Sequence, residues 1–396
     1  MIKQEKYINW LYHVPGIGRK TLSAMLSGGE CAEVIYNMSD AEIVRYLREQ
    51  CRFSQGIAGR IGRNIMQSRE KTDADSLWQS MERDGIRFVM PGQSEYPVRL
   101  EEIPDAPIGL YIKGKEDFAA FVDKNYPVVA VVGARNCSEY GKYVAKKLGQ
   151  KCAERGIVLV SGMAYGIDAI AQWSCLGAGG KVCAVFGCGV DVCYPEMNRP
   201  IYDALCEAGC MYSEYIPGAR PSAGCFPPRN RIISGMADAL IVVEAKEKSG
   251  TLITVDMALE QGKDVYVVPG RVTDPMSVGC NRLIRQGACP VCDLDVLLEE
   301  IKGGDCCKVV QKKDVDEASM KDMRKGGCGR YPEGSVKSFV YAVLGLNPMS
   351  VQQIYDTIAQ QCKTDVVAVQ KELLYMQMEG VVYEECGRYG LVAQNG

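Results

Sequence analysis

Between Pro127 and Gly270 the chain alternates two kinds of pattern. Short runs that are apolar at nearly every position and rich in β-branched residues, PVVAVVGAR, IVLVSG, KVCAVFGCG, ADALIVVEA and KDVYVVPG, are separated by longer segments with helical spacing, such as EYGKYVAKKLGQKCAERG. A strand apolar on both faces must be covered on both, and strands alternating with helices build a parallel sheet with helices on each side. The pattern therefore predicts an α/β fold, a doubly wound Rossmann-like parallel sheet, over residues 91–302. Residues 1–90 read instead as short helices with polar, glycine-punctuated joints, a SAM-like or helix-hairpin-helix-like block. Residues 335–396 read as three helices and a β-hairpin, a winged-helix pattern. Between them residues 303–334 carry few large apolar side chains and glycine at both ends, the composition of a linker.

An open sheet of this kind binds ligands beyond the carboxyl ends of its strands. Those ends are rich in glycine: Gly133-Ala134-Arg135, Ser161 to Gly166, Gly187-Cys188-Gly189, Ser249-Gly250-Thr251 and Pro269-Gly270-Arg271. Glycine lets backbone N–H groups approach an anion at a helix start, so a phosphate-binding rim is expected. The first strand ends in GARNCSEYG and lacks the GxGxxG of a dinucleotide site. Arg135 stands at its tip, where a guanidinium can hold a phosphate with two parallel hydrogen bonds or pair with a neighbouring acid. In SGMAYGIDAIAQ, Gly162 and Gly166 suit either an anion cradle or simple turn geometry, and Asp168 is placed to cap the next helix. Ser249, Gly250 and Thr251 open a helix and would serve as a plain cap. Lys248 beside them shifts that reading toward an anion.

FPPRNRIISG adds more charge. With Pro227 and Pro228 closing a loop and the helix starting near Asn230, Arg229 and Arg231 would project from the first turn, where cations oppose the helix dipole unless an anion is met. Near the N-terminus, Pro15-Gly16-Ile17-Gly18 with Arg19 and Lys20 forms a hairpin whose amides and cations suit a nucleic-acid backbone, or a hairpin used only for packing. GRIGRNIMQSREK is a second basic stretch. The C-terminal block sets Lys337, Lys363, Lys371 and Arg388 against six acids, which favours protein contact over reading of a DNA groove.

Composition narrows the chemistry further. With 396 residues, 47% of them hydrophobic and 24% charged, the chain suits several soluble domains. No window approaches the run of about eighteen apolar residues that a membrane span needs, and MIKQEKYINW lacks the build of a signal peptide, so the cytoplasm is expected. A single histidine, His13, argues against triad catalysis and His-rich metal sites. Nineteen cysteines in a chain of this size read as reduced, buried small hydrophobes. Cys289, Cys292, Cys306 and Cys307, with Cys328, make a poor zinc tetrahedron because the second pair is adjacent. No cofactor or metal is expected. The net charge of −3 excludes a protein that coats nucleic acid with its whole surface, but leaves room for a local basic groove.

Taken in order, YPVRLEEIPDAPIGLYIKG, VVGARNCSEYG, LVSGMAYGIDAIA, CAVFGCGVDVCYPEMN, FPPRNRIISGMADALIVVEAKEKSGTLITVDMALEQGKDVYVVPG and GCNRLIRQGA resemble the DNA-processing protein A (DprA/Smf) family of bacteria, specifically over residues 95–301. The resemblance implies a protein without catalytic turnover that binds single-stranded DNA, protects incoming strands in natural transformation and loads the RecA recombinase, acting as a homodimer. By motif position it assigns phosphate contact to Arg135, Lys181, Arg229, Asn230 and Arg231, with Gly133, Gly162, Gly166, Lys248, Ser249, Gly250 and Thr251 shaping the pocket. One departure is Gln172, where the family usually carries histidine. The competing readings are a phosphoribohydrolase-like enzyme and a small-nucleotide sensor. KSGTLITVDMALE lacks the double glycine of the hydrolase motif PGGxGTxxE, and Glu260 lies too far from Thr251 to supply its glutamate.

Overall fold

The computed structural model describes residues 2–115, 126–303, 331, 335–344, 349–359, 362, 364–385 and 388–391. Two compact units divide at Lys308 and Val309.

The first unit starts with six helices, α1 (Ile2–His13), α2 (Arg19–Ser27), α3 (Ala32–Asn37), α4 (Asp40–Glu49), α5 (Gln55–Lys71) and α6 (Ala74–Arg83). A nine-stranded sheet follows, built from β1 (Ile86–Val89), β2 (Leu110–Gly114), β3 (Val128–Val132), β4 (Val158–Ser161), β5 (Val182–Phe186), β6 (Cys210–Ser213), β7 (Ala239–Val242), β8 (Asp264–Val267) and β9 (Cys289–Pro290), in the spatial order β1-β2-β6-β5-β4-β3-β7-β8-β9. From β6 to β9 every pairing is parallel. At the other edge β1 pairs with β2, and β2 with β6, antiparallel, so the sheet is mixed, although parallel pairs dominate.

The apolar runs behave as their pattern requires. Side chains alternate across a strand, and β3 sends Val129 and Val131 into one core, Val128, Ala130 and Val132 into the other. The seven helices of this region are α7 (Glu139–Arg155), α8 (Ile167–Gly177), α9 (Arg199–Ala208), α10 (Phe226–Met236), α11 (Gly250–Glu260), α12 (Val278–Arg285) and α13 (Leu294–Gly303). Val144, Leu148 and Cys152 of α7 join the first core; Ile232 and Met236 of α10 and Val255 of α11 join the second. Each fully buried aliphatic side chain contributes roughly 1.5–3 kcal/mol.

The N-terminal boundary expected at residue 90 falls inside an antiparallel hairpin, because β1 ends at Val89 and pairs with β2. Trp10, Leu11 and Ile35 of the helical block share one core with Tyr111 and Phe88 of the sheet, and the Tyr111 hydroxyl donates to Asn9 Oδ1 at 2.7 Å. The block and the sheet are thus packed as one unit.

The second unit contains α14 (Val336–Val343), α15 (Val351–Ile358), α16 (Val366–Met378) and a three-stranded antiparallel sheet of β10 (Met349–Ser350), β11 (Val382–Glu385) and β12 (Arg388–Leu391) in the order β10-β12-β11. Ser350 and Gln353 close a capping box on α15, and Asp365 caps α16. Val340, Ile354, Ile358, Val369, Leu373 and Met376 form its core. The linker expected at 303–334, with Cys306, Cys307 and Cys328, lies outside the described residues except Gly303 and Tyr331. No cluster of three metal-ligating side chains occurs among the described residues.

Candidate nucleic-acid interface

Sheet topology points to one place. The chain runs outward from β3 through β4, β5 and β6, then returns to lay β7 on the other side of β3. At that reversal the loops after β3 and β7 lead to opposite faces of the sheet and leave a crevice beyond their carboxyl ends. A cleft of about 660 Å³ opens there, lined by Gly133 to Asn136 after β3 and by Lys246 and Lys248 to Thr251 after β7, with Tyr194, Phe226 and Asn230 on the remaining side.

Arg135, Lys246 and Lys248 are the exposed cations of this cleft. The Arg135 guanidinium lies over the Phe226 ring, 5.7 Å from its centroid. That ring in turn stacks on Tyr194, with centroids 5.6 Å apart and planes at 26°. A cation and two rings in series offer an edge for phosphate and a face for a base. On the opposite wall Ser249 caps α11, its Oγ accepting from Thr251 N at 3.2 Å and donating to Thr251 Oγ1 at 3.0 Å. The space beside Gly250 is open, since a Cβ there would meet no atom within 4 Å. Lys248 stands next to this positively polarised helix start, the arrangement expected to favour an anion.

The α10 arginines depart from expectation for a traceable reason. α10 starts at Phe226, with Pro227 and Pro228 inside its first turn, whereas a start at Asn230 was expected. Arg229 therefore closes the first turn and Arg231 lies in the second, and each is only 5% exposed. Arg229 donates from Nη1 to Gly162 O at 2.9 Å and to Val185 O. Burial pulls its guanidinium down to about 10, with Asp168 opposing, and it stays charged at neutral pH. Arg231 points elsewhere, pairing with Glu214 and, at 3.3 Å, with Asp105. Asn230 keeps its place on the cleft.

Asp168 does not cap α8 from outside; it lies in the first turn, buried, and accepts from Gly162 N at 3.1 Å. Burial raises its carboxyl above the usual range, opposed by Arg229 and by the hydrogen bonds from Gly162 and Ser161. The glycines of the neighbouring turns are taken up by protein atoms. A Cβ on Gly162 would stand 2.5 Å from Arg229 Nη2, and one on Gly166, at φ +78°, would stand 2.3 Å from Ala134 O. A Cβ on Gly133 would likewise stand 2.6 Å from Ile167 Cγ1. Their function in the fold is close packing beneath the cleft.

Lys181 is not brought to the site. It precedes β5, at the amino ends of the parallel strands, with Nζ 4.5 Å from the Tyr126 ring centroid. Gln172 is fully buried; it accepts from Met163 N and donates to Cys183 O, both at 3.0 Å. It pins the turn in which Met163 takes φ 50°, and no part of it reaches the cleft. Lys246, Phe226 and Tyr194 were not singled out from the sequence. Lys246 follows a strand end and was open to the same reasoning as Lys248; the two rings meet only through tertiary packing.

These features define a class, a doubly wound α/β protein with a cationic, ring-lined crevice at the switch point of its sheet. Residues 87–302 match the model of the family described as DNA recombination-mediator protein A. The chain belongs to that family. It is 46% identical to the DNA processing protein DprA of Streptococcus pneumoniae over 193 residues, 49% of this chain and 66% of that protein. It is 30% identical to protein Smf of Synechocystis over 351 residues, 84% of this chain and 87% of that protein. Among solved structures, that of DprA from S. pneumoniae matches with a TM-score of 0.54 at 34% identity, covering 72% of this chain and 98% of that one. DNA processing protein A of Helicobacter pylori, whose structure concerns its single-stranded DNA binding mode, matches with a TM-score of 0.50 at 26% identity, covering 55% of this chain and 97% of that one.

Proposed function

We propose that this protein binds single-stranded DNA in the switch-point cleft, gripping the backbone with Arg135, Lys246 and Lys248 and accepting an unstacked base against the exposed ring of Tyr194. The observation that carries this is the joining of three exposed cations to a stacked pair of rings in one cleft, a combination suited to a flexible strand and poorly suited to a closed duplex. Ser249, Gly250 and Thr251 add a polarised helix start, and Asn230 a neutral hydrogen-bonding side chain. Arg229, Arg231, Gly133, Gly162 and Gly166 support the cleft from beneath or beside it, and Lys181 acts elsewhere.

In the cell this activity protects incoming DNA and loads the RecA recombinase during natural transformation, with the protein as a cytoplasmic homodimer that turns over no substrate and needs no cofactor. Kinship with DNA processing proteins supports the setting. Among the described residues no helix is long and apolar enough to cross a membrane. The hydrolase reading loses support because Glu260 ends α11 while Thr251 lies in its first turn. The three helices and small sheet of the second unit support a winged-helix module, whose excess of acids suits a protein partner.

Mobility-shift titration of single- and double-stranded oligonucleotides at two salt concentrations tests the reading. Tighter binding of the single strand, steeply salt-dependent and weakened by Arg135→Ala, is expected. Equal affinity for both forms, or unchanged binding by that variant, would sink it.

A further inference from the structure

Two basic features of the sequence, the Pro15–Lys20 hairpin and the α5 stretch, remain outside the cleft. The fold brings them together. Asn64 of α5 donates from Nδ2 to Pro15 O at 2.7 Å, and Gly16 packs against the same amide. Arg60 stands one turn before Asn64 on α5 and Arg63 directly before it, and both are exposed. Lys20 is exposed in the first turn of α2, the helix that follows the same hairpin. Across Gln55–Lys71 only Glu70 opposes Arg60, Arg63, Arg69 and Lys71. Arg69 turns inward to Met38 O at 2.7 Å and Ile35 O at 3.3 Å. By contrast, Lys20, Arg60 and Arg63 take part in none of the ion pairs among the described residues.

This basic surface adjoins the cleft through a chain of charge. Arg19, the first residue of α2, pairs with Asp105, and Asp105 also pairs with Arg231 of α10 at 3.3 Å. The preceding residue of α10, Asn230, lines the cleft. Arg231 also holds Glu214, so the acids at this junction, Asp105 and Glu214, face arginines on both elements. Arg19 and Arg231 balance Asp105 and Glu214 in charge, so the junction puts no net negative charge between the two surfaces.

We propose that Lys20, Arg60 and Arg63 form a second, phosphate-binding surface that receives the DNA strand as it leaves the switch-point cleft. It rests on the reading of the cleft as a single-strand site and extends that site from a few nucleotides to a longer track. The contacts are to the backbone and carry no sequence preference. Arg19 holds the hairpin to α10 and is a positioning residue.

The test uses the full chain and two oligonucleotides, one of about six nucleotides to fill the cleft alone and one of about 25 to reach both surfaces. The triple variant Lys20→Ala, Arg60→Ala, Arg63→Ala is compared with the wild type, with Arg83→Ala as a control for loss of an exposed charge elsewhere on the helical block. Losing three phosphate contacts lowers the salt slope for the long strand by about 2, so the variant's deficit is about 20-fold larger at 50 mM than at 200 mM salt. Binding of the short strand and the behaviour of the control stay as in the wild type. A long-strand slope equal to that of the wild type overturns the proposal, as does a matching loss with the short strand. Loss confined to duplex DNA overturns it in favour of a duplex site. Arg135→Ala separates the two readings, because it weakens both oligonucleotides if the cleft is a single-strand site. Failure of the wild type to bind either one overturns both.

Discussion

Two arginines, Arg135 after β3 and Arg229 in α10, meet at one cleft, and the fold uses them in opposite ways. Arg135 stands exposed at the cleft mouth over Phe226. Arg229 lies beneath, its guanidinium spent on two carbonyl oxygens and facing Asp168. A charge on the rim keeps most of its hydration until a ligand arrives and costs the folded state little. A charge in the floor has lost its water and must be matched by protein groups. Residue type therefore does not decide whether an arginine serves binding or stability; the number of partners already engaged does.

The sharpest way to break this comparison is Arg229→Ala. It removes the cation that faces the buried Asp168 and frees the Gly162 and Val185 carbonyls, and each buried acceptor left unsatisfied costs about 1–3 kcal/mol. Urea denaturation should register that loss, and adding Asp168→Asn should recover part of it, because the uncompensated charge is then gone. Arg135→Ala should leave stability within about 0.5 kcal/mol. Comparable losses in the two single variants would erase the distinction between floor and rim.

Next in size is the effect of Arg135→Ala on binding. A charge-assisted hydrogen bond contributes roughly 1.5–3 kcal/mol, so at least a tenfold fall in single-strand affinity is expected by fluorescence anisotropy. Arg135→Lys should recover only part, since a point charge replaces a planar group held over a ring. Full recovery would mean that the stacking on Phe226 is incidental.

Smaller still are the effects of Lys246→Ala and Lys248→Ala, each removing one mobile ammonium from the rim. Each should lower the slope of log affinity against log salt by about 0.7, and the two should add if the lysines meet different phosphates. No change in slope for either would confine the grip to Arg135.

How much of this was legible beforehand follows the same division. The five apolar runs of the parallel sheet announced themselves because both faces of each strand are buried, as the split of β3 between two cores shows. The hairpin of β1 and β2 and the strand β6 were not distinguished, being short segments whose pairing is antiparallel at one edge. Arg135 and Lys248 could be found because strand ends at a switch point are fixed by topology. The α10 arginines were misplaced by a helix start set four residues late. At 3.6 residues per turn Arg229 closes the first turn and Arg231 falls in the second, both turned into the protein. Phe226 and Tyr194 left no local trace, since their stacking depends on two loops that meet only in the folded chain.

The smallest effect concerns another buried polar group, the single histidine. His13 is half-buried at the end of α1, its Nδ1 2.9 Å from Asn9 O, where the neutral ring donates. Burial lowers its pKa from the ordinary 6.5, with the Asn9 contact acting the other way. A depressed folded-state value means that the unfolded chain takes up the proton first. The stabilisation is therefore complete above about 6.5 and is lost as pH falls through the folded value. The wild type should lose stability between pH 7.5 and 5.5 relative to His13→Gln, measured by denaturation at each pH, and the ring should titrate below its unfolded value by NMR. The affinity of the cleft for DNA should follow the same curve in both proteins, because His13 belongs with the buried groups that support the fold. A divergence of the two binding curves would place the histidine on the side of the rim.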